Sequence, residues 1–321
     1  MRLFLLFIVL VTASCSPVTS IKVHTAWPSD NFHTKGLQKF SDLIRDRTNG
    51  KLLLEIFSDG KLGFKDEFIL DHLQNGNLVL ADVLMGNLST KSEIFGLSSI
   101  PRMAGSYSHA YSLYLANKKY YQEELKKYGS KLLYVVPWPP SGIFTKSLID
   151  SGSVVQKLKM RTYDENSAQF IRSIGALGVQ IPFNELDTAL RAGMIDSVLT
   201  STVTGIESEI WKLMKYFYEI NYAFPLDMVI IQEKAFNSLS QDHQEVLLQT
   251  SSLMEEELWK MSQKSHEEGL NRLKAEGINI QTDLPKFFGD LLDSSSKRIR
   301  DAWILRAKNT SFSLDIYRES D

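Results

Sequence analysis

Short β-type runs alternate with helical stretches in two successive series, and that rhythm restricts the chain to α/β architectures built on open sheets. Residues 21–27 form the first run, ended by Pro28. A helix over 31–48 follows, with Phe32, Leu37, Phe40 and Ile44 near helical spacing and a stop at Asn49-Gly50. Strand 51–57, a short helix at 64–73 and the apolar strand 77–85 come next, and a long helix over 107–128 leads into strand 131–138, halted by Pro139-Pro140. The second series places strands at 143–146, 158–163, 179–181 and 195–200, with helices at 167–174 and 184–192. A helix around Trp211, strand-like runs at 216–221 and 228–232, a very long helix over 241–274, a strand at 278–281 and a helix over 284–307 finish the chain. The alternation predicts mainly parallel sheets, and 321 residues are enough for two lobes of ordinary size. The helix over 241–274 is expected to brace both.

The charge balance removes several classes of function. Lys and Arg total 36 against 38 Asp and Glu, a net charge of −2 without a basic stripe, which argues against nucleic acid as a partner. One cysteine allows no internal disulfide and no cysteine-rich metal site. The six histidines are scattered without zinc-ligand spacing, and the chain has no nucleophile elbow and no glycine loop for phosphates or dinucleotides. No metal or cofactor is expected. Lys118–Lys119 and Glu255–Glu257 read as solvated helix faces.

The N-terminus carries an export signature: Arg2, an unbroken apolar run from Leu3 to Val11, and small residues before Cys15. That run is too short for a membrane span, which needs about 20 residues. Residues 1–14 therefore read as a signal peptide. The stretch before Cys15 resembles a bacterial lipobox in which the cysteine is lipidated, with Thr12 where leucine is usual. The other reading is a plain secretory signal that discards Cys15. In both, the mature chain is expected in the periplasm, and loss of Arg2 takes its charge from −2 to −3.

In open α/β sheets, ligands sit beyond the carboxyl ends of strands and at domain junctions. The residues in those places are Trp27, Asn87, Trp138, Arg161, Phe183 and Thr200. They supply one cation, aromatic faces and short polar donors, with no nucleophile paired to a base.

Residues 157–196 carry Leu158, Lys159, Arg161, Gly175, Ala176, Pro182, Phe183, Glu185, Ala189, Leu190, Gly193 and Asp196 in one spaced series. The series resembles that of the extracytoplasmic solute-binding proteins of TRAP transporters, the DctP type, and the likeness covers nearly all of residues 20–307. With the alternation, it implies a two-lobed α/β fold of the periplasmic-binding-protein type II-like (Venus-flytrap) kind. Lobe I would comprise residues 20–138 plus about 223–255, and lobe II residues 139–222 plus about 256–283. Residues 284–321 would form a C-terminal helix and tail. The resemblance further implies a monomer that captures a small organic anion without catalysis. It would hand the anion to TRAP-type membrane permease subunits driven by an ion gradient, and touch the membrane only through that permease and a lipid anchor.

The family's ligand-clamping arginine falls on Arg161, whose planar fork of donors matches a carboxylate. The bland alternative is a surface salt bridge with Asp164 or Glu165. Phe183 matches an aromatic position against the ligand, with core packing as its alternative. Thr200 falls where many members carry asparagine, so Thr200 or Ser201 would offer only a hydroxyl. A second arginine, which many members place after the strand ending here at Trp138, is missing: no arginine lies between Arg102 and Arg161. Trp138 and Phe144 occupy that stretch instead, and Trp27 and Tyr222 add aromatic faces suited to an apolar or cationic body. A second carboxylate would be poorly neutralised. A monoanion or zwitterion is therefore expected rather than a four-carbon diacid, with Asn87, Asn31 and His33 as further candidate donors. Two other functions stay open: an exported lyase or hydrolase using Glu185 or Asp187 as base, and the ligand-binding input of a sensor.

Overall fold

Each series of strands forms its own sheet, and the chain passes between the sheets three times, twice by short crossings and then once along a long helix. The computed structural model describes residues 18–307; the expected signal peptide, Cys15 and the tail beyond 307 lie outside the described residues. The first series gives β1 (Thr19–Thr25), α1 (Phe32–Arg47), β2 (Leu52–Phe57), α2 (Ile69–Gln74), β3 (Leu80–Leu84), α3 (Tyr107–Lys127) and β4 (Ser130–Pro137). The second begins with β5 (Gly142–Thr145), α4 (Gly152–Val155), β6 (Lys159–Thr162), α5 (Glu165–Ser173) and β7 (Leu177–Gln180). It continues with α6 (Leu186–Arg191), β8 (Ser197–Thr200), α7 (Thr202–Glu207) and β9 (Tyr216–Tyr218). The chain then returns through β10 (Leu226–Gln232) and α8 (Glu233–Ser238) to α9 (Gln241–Ala275), β11 (Asn279–Gln281) and α10 (Lys286–Ala307). Among the described residues, no helix is long and apolar enough to cross a membrane.

Local chemistry sets the boundaries. Asn31 caps α1 by accepting from His33 N at 2.8 Å. The stop after it places Asn49 and Gly50 at φ of 51° and 75°, conformations that glycine adopts freely and asparagine tolerates.

The strand orders are β2-β1-β3-β10-β4 and β11-β9-β5-β8-β6-β7. The sheets are mainly parallel, as expected, but each holds one reversed strand. β10 runs antiparallel to β3 and β4, and β5 runs antiparallel to β8 and β9. Both are the first strands laid down after a crossing. They enter their sheet from the junction end, opposite to the strands built by βα units. The crossings lie side by side, with Trp138 N donating to Pro225 O at 2.7 Å, Ser141 N to Ala223 O at 3.1 Å and Tyr222 N to Ser141 O at 2.9 Å.

Two helices tie the lobes together. Leu247, Met254 and Leu258 of α9 are buried with the α1 and β1 side of the first lobe, and its last turns bring Leu270 and Leu273 to the core of the second. α10 buries Phe288 and Leu292 in the second lobe and Trp303 in the first.

β4 is an edge strand, and α9 covers its exposed backbone. Glu255 accepts from Val135 N at 3.0 Å, and Trp259 Nε1 donates to Val135 O at 3.1 Å. Glu255 also accepts from Tyr114 Oη (2.7 Å) and Lys118 Nζ (2.8 Å). The solvated-face reading of Lys118 and Glu255 is thus corrected: a sheet edge needs a buried acceptor there, and Lys118 neutralises it.

The lobes also meet through polar contacts on both sides of the junction. Asn31 Nδ2 donates to Glu207 Oε1 at 2.8 Å, and Asn166 Nδ2 to Gly96 O at 3.1 Å. Asp164, the N-cap of α5, lies against Gly86, where an added Cβ would fall 2.2 Å from Asp164 Oδ2. That carboxylate cannot swing aside without losing its bonds to Ser167 N (2.8 Å) and Ser167 Oγ (2.6 Å).

Two outcomes follow from these contacts. Glu255→Ala strands two buried donors and is expected to lower the unfolding free energy by about 2–4 kcal/mol, read from the urea midpoint. Glu256→Ala, on the solvent side of the same turn, should leave that midpoint unchanged. Gly86→Val should wedge the lobes apart and raise the radius of gyration in solution scattering, with helix content preserved.

Candidate ligand-binding site

Alternation along β6 decides where the one central cation goes. Met160 turns into the apolar core beneath the sheet, so its neighbour Arg161 faces the opposite side, into a cavity between the lobes. The first lobe contributes Trp27 beyond β1, Leu84 at the end of β3 and Trp138 after β4. The second contributes Arg161, Tyr163 and Phe183 with the hydroxyl residues Thr200, Ser201 and Thr204, and the crossings add Ser141 and Pro225. The ring centroids of Trp27 and Trp138 are 4.8 Å apart, and Phe183 closes on Trp27 from the other lobe at 5.8 Å. Both contacts are edge-to-face.

Arg161 is 3% exposed. Its Nε donates to Ile181 O at 2.9 Å, and among the described residues no other hydrogen bond or ion pair engages the guanidinium. Burial pulls its pKa down to about 10 against the smaller opposing influence of Tyr163 and Asp164, so it stays charged at neutral pH. Its two terminal nitrogens are left for an anion. The neutral polar groups around it are hydroxyls, with Ser141 Oγ donating to Tyr163 Oη at 3.3 Å.

Behind the tryptophans lies a buried acidic pair. The β3–β10 register sets Val229 opposite Asp82, so Asp227 projects two residues along on the same face. Trp27 Nε1 donates to Asp227 Oδ2 at 2.5 Å and Trp138 Nε1 to Asp227 Oδ1 at 2.9 Å. Thr25 Oγ1 donates to Asp82 Oδ2 at 3.0 Å. Burial pushes the Asp82 carboxyl up to about 7, and burial together with the Asp82 charge raises Asp227 well above the usual carboxylate range. Burial also holds His33 neutral, with its Nδ1 3.6 Å from Asp227 Oδ2. His33, Asp82 and Asp227 bring potential ligand atoms within 4.8 Å of one another. Both Asp227 oxygens already accept indole hydrogens.

Arg161, Phe183, Trp138, Thr200 and Trp27 therefore share one cavity. Other candidates lie elsewhere. Asn87 Nδ2 donates to Asp66 Oδ2 at 2.9 Å, away from the lining. Tyr222 is buried with its hydroxyl on Ser99 O (2.8 Å), and Phe144 packs on Phe217 in the second lobe's core. Asn31 is spent on its cap and on Glu207, and His33 sits behind Trp138 with ring centroids 4.4 Å apart. Glu185 and Asp187 are exposed, and Asp187 is held by Arg191 Nε at 2.8 Å, so neither is placed to act as a base in the cavity. Sequence reasoning missed Tyr163 and Leu84, which the strand-end rule could have found. It also missed Ser141, Pro225 and Asp227, which only the pairing of the crossings brings in.

Residues 23–288 match the profile of bacterial extracellular solute-binding protein family 7, DctP. The solved structure of DctP6 from Bordetella pertussis, an extracytoplasmic receptor binding pyroglutamic acid, is 28% identical with a TM-score of 0.89, covering 94% of this chain and 99% of that one. Its companion DctP7, which also binds pyroglutamic acid, is 26% identical with a TM-score of 0.89, covering 94% and 100%. The 2,3-diketo-L-gulonate-binding periplasmic protein YiaO of Escherichia coli is 23% identical over 273 residues, 83% of this chain and 81% of that protein. The chain belongs to the DctP family of extracytoplasmic solute receptors, which take small organic acids for TRAP transport.

Proposed function

We propose that this receptor takes a compact monocarboxylate of the pyroglutamate kind: one carboxylate, a small apolar ring and a neutral polar edge. The observation that carries the reading is a buried guanidinium with two terminal nitrogens unengaged in a cavity whose other walls are aromatic, aliphatic or hydroxylic. The carboxylate would meet Arg161, the ring would lie against Trp27, Trp138 and Phe183, and the polar edge would find the hydroxyls of Tyr163, Thr200 and Ser201. Pyroglutamic acid as the ligand of DctP6 and DctP7 supports this choice. Charge-assisted hydrogen bonds contribute about 1.5–3 kcal/mol each, and micromolar affinity needs about 8 kcal/mol. A bidentate clamp plus burial of one ring reaches that range. The protein binds without catalysis, works as a monomer and is tethered through a lipid on Cys15. It closes about the paired crossings, with lobes divided near residues 138 and 223, and delivers the ligand to a TRAP permease.

Arg161→Ala should weaken pyroglutamate binding by about a hundredfold or more in calorimetric titration, while the thermal midpoint of the ligand-free protein is unchanged or raised. Succinate should bind the unaltered protein far more weakly than pyroglutamate; tight succinate binding with silent pyroglutamate would overturn the reading.

Closure also carries a proton. Glu207 reaches across to Asn31, and burial lifts its carboxyl to about 7, with Asp30 adding to the rise while the Asn31 bond and Lys35 oppose it. An acid whose pKa rises on closing binds more protons in the closed form, so closure is favoured at low pH and loses that contribution as pH climbs from about 4.5 to 7. Ligand affinity should therefore fall by about tenfold or more between pH 5 and pH 7.5, and Glu207→Gln should flatten the profile.

A further inference from the structure

We propose that Asp227 is a positioning residue for ligand choice: by accepting both indole N–H groups it turns Trp27 and Trp138 so that the pocket meets their carbon faces and not their donors. This deepens, and rests on, the monocarboxylate reading. Each indole has a single donor, and both donors end on the two oxygens of one fully buried carboxylate, at 2.5 Å and 2.9 Å. Trp27 and Trp138 line the cavity and Asp227 does not, and among the described residues no second cation joins Arg161 in its walls. A second carboxylate turned toward the tryptophan wall would thus face ring carbons with neither charge nor hydrogen bond to receive it. Asp227 holds its place because β10 is pinned between β3 and β4, next to Pro225, whose carbonyl accepts from Trp138 N. The same strand that returns from the second lobe therefore fixes the wall that the ligand touches.

Asp227→Asn is nearly isosteric, but an amide offers one acceptor oxygen and one NH2 group. One indole would keep its partner while the other would meet a donor and rotate, exposing its N–H to the cavity. The test uses the full soluble chain with pyroglutamate and succinate as probes. Nitrogen-15 spectra of the ligand-free protein report the indole N–H groups, with those of Trp27 and Trp138 assigned from Trp27→Phe and Trp138→Phe. In Asp227→Asn at least one of these two resonances should move, while those of Trp211, Trp259 and Trp303 stay in place. Pyroglutamate affinity should fall by about tenfold, and the preference for pyroglutamate over succinate should narrow. Unmoved indole resonances, or moved resonances with the preference intact, would overturn the proposal. If Asp227→Asn does not fold, the two Trp→Phe variants carry the test, because each keeps an aromatic face and removes one donor. They should retain the preference for pyroglutamate, and loss of it would mean that the turned-away donors do not set ligand choice. Should the unaltered protein ignore pyroglutamate, the ligand reading fails, while the indole spectra still report on Asp227.

Discussion

The structure is organised around one guanidinium shut between two sheets. Strand alternation drives the Arg161 side chain into the gap between the lobes, where it is buried, and among the described residues only its Nε finds a partner. A charge left in that condition is costly, and an anion is the natural remedy. This makes the closed arrangement depend on what fills the cavity. A ligand favours closure only as far as it binds the closed form better than the open one, and in the function proposed above Arg161 would supply that difference.

Around that requirement, the remaining structure both permits and limits movement. The two crossings run side by side as a narrow hinge, while α9 and α10 each seat one end in either lobe. Outside the hinge the lobes also meet through polar contacts, Asn31 with Glu207, Asn166 with Gly96 and the Asp164 cap against Gly86, and through Phe183 against Trp27.

The first lobe keeps its charge out of the pocket by a different device. Asp82 and Asp227 lie together under the aromatic wall; two indoles donate to the two oxygens of Asp227, and Thr25 donates to Oδ2 of Asp82. A polar cluster of this kind fixes side-chain orientation more than it adds stability. Its consequence at the surface of the cavity is an apolar, donor-poor face opposite the cation, and that division of labour between the lobes matches a ligand with one charged end.

Much of this was legible in the amino-acid order. The two strand–helix series, the cap and stop of α1, the long α9 and the spaced motif around Arg161 are all local, because hydrogen-bonding period and turn chemistry act over a few residues. Strand-end logic likewise put Trp27, Trp138, Arg161, Phe183 and Thr200 at one cavity, since those positions follow from the direction of each strand. The antiparallel entry of β5 and β10 was not legible, nor was the burial of Glu255 against the edge of β4. The same holds for Tyr222, Phe144 and Asn87, which lie away from the cavity, and for the grip of Asp227 on two indoles from distant segments. These depend on which strands become neighbours after the chain has crossed between lobes. Pairing of segments a hundred or more residues apart leaves no periodic trace, because it is decided by the joint packing of both lobes and not by any one stretch of sequence.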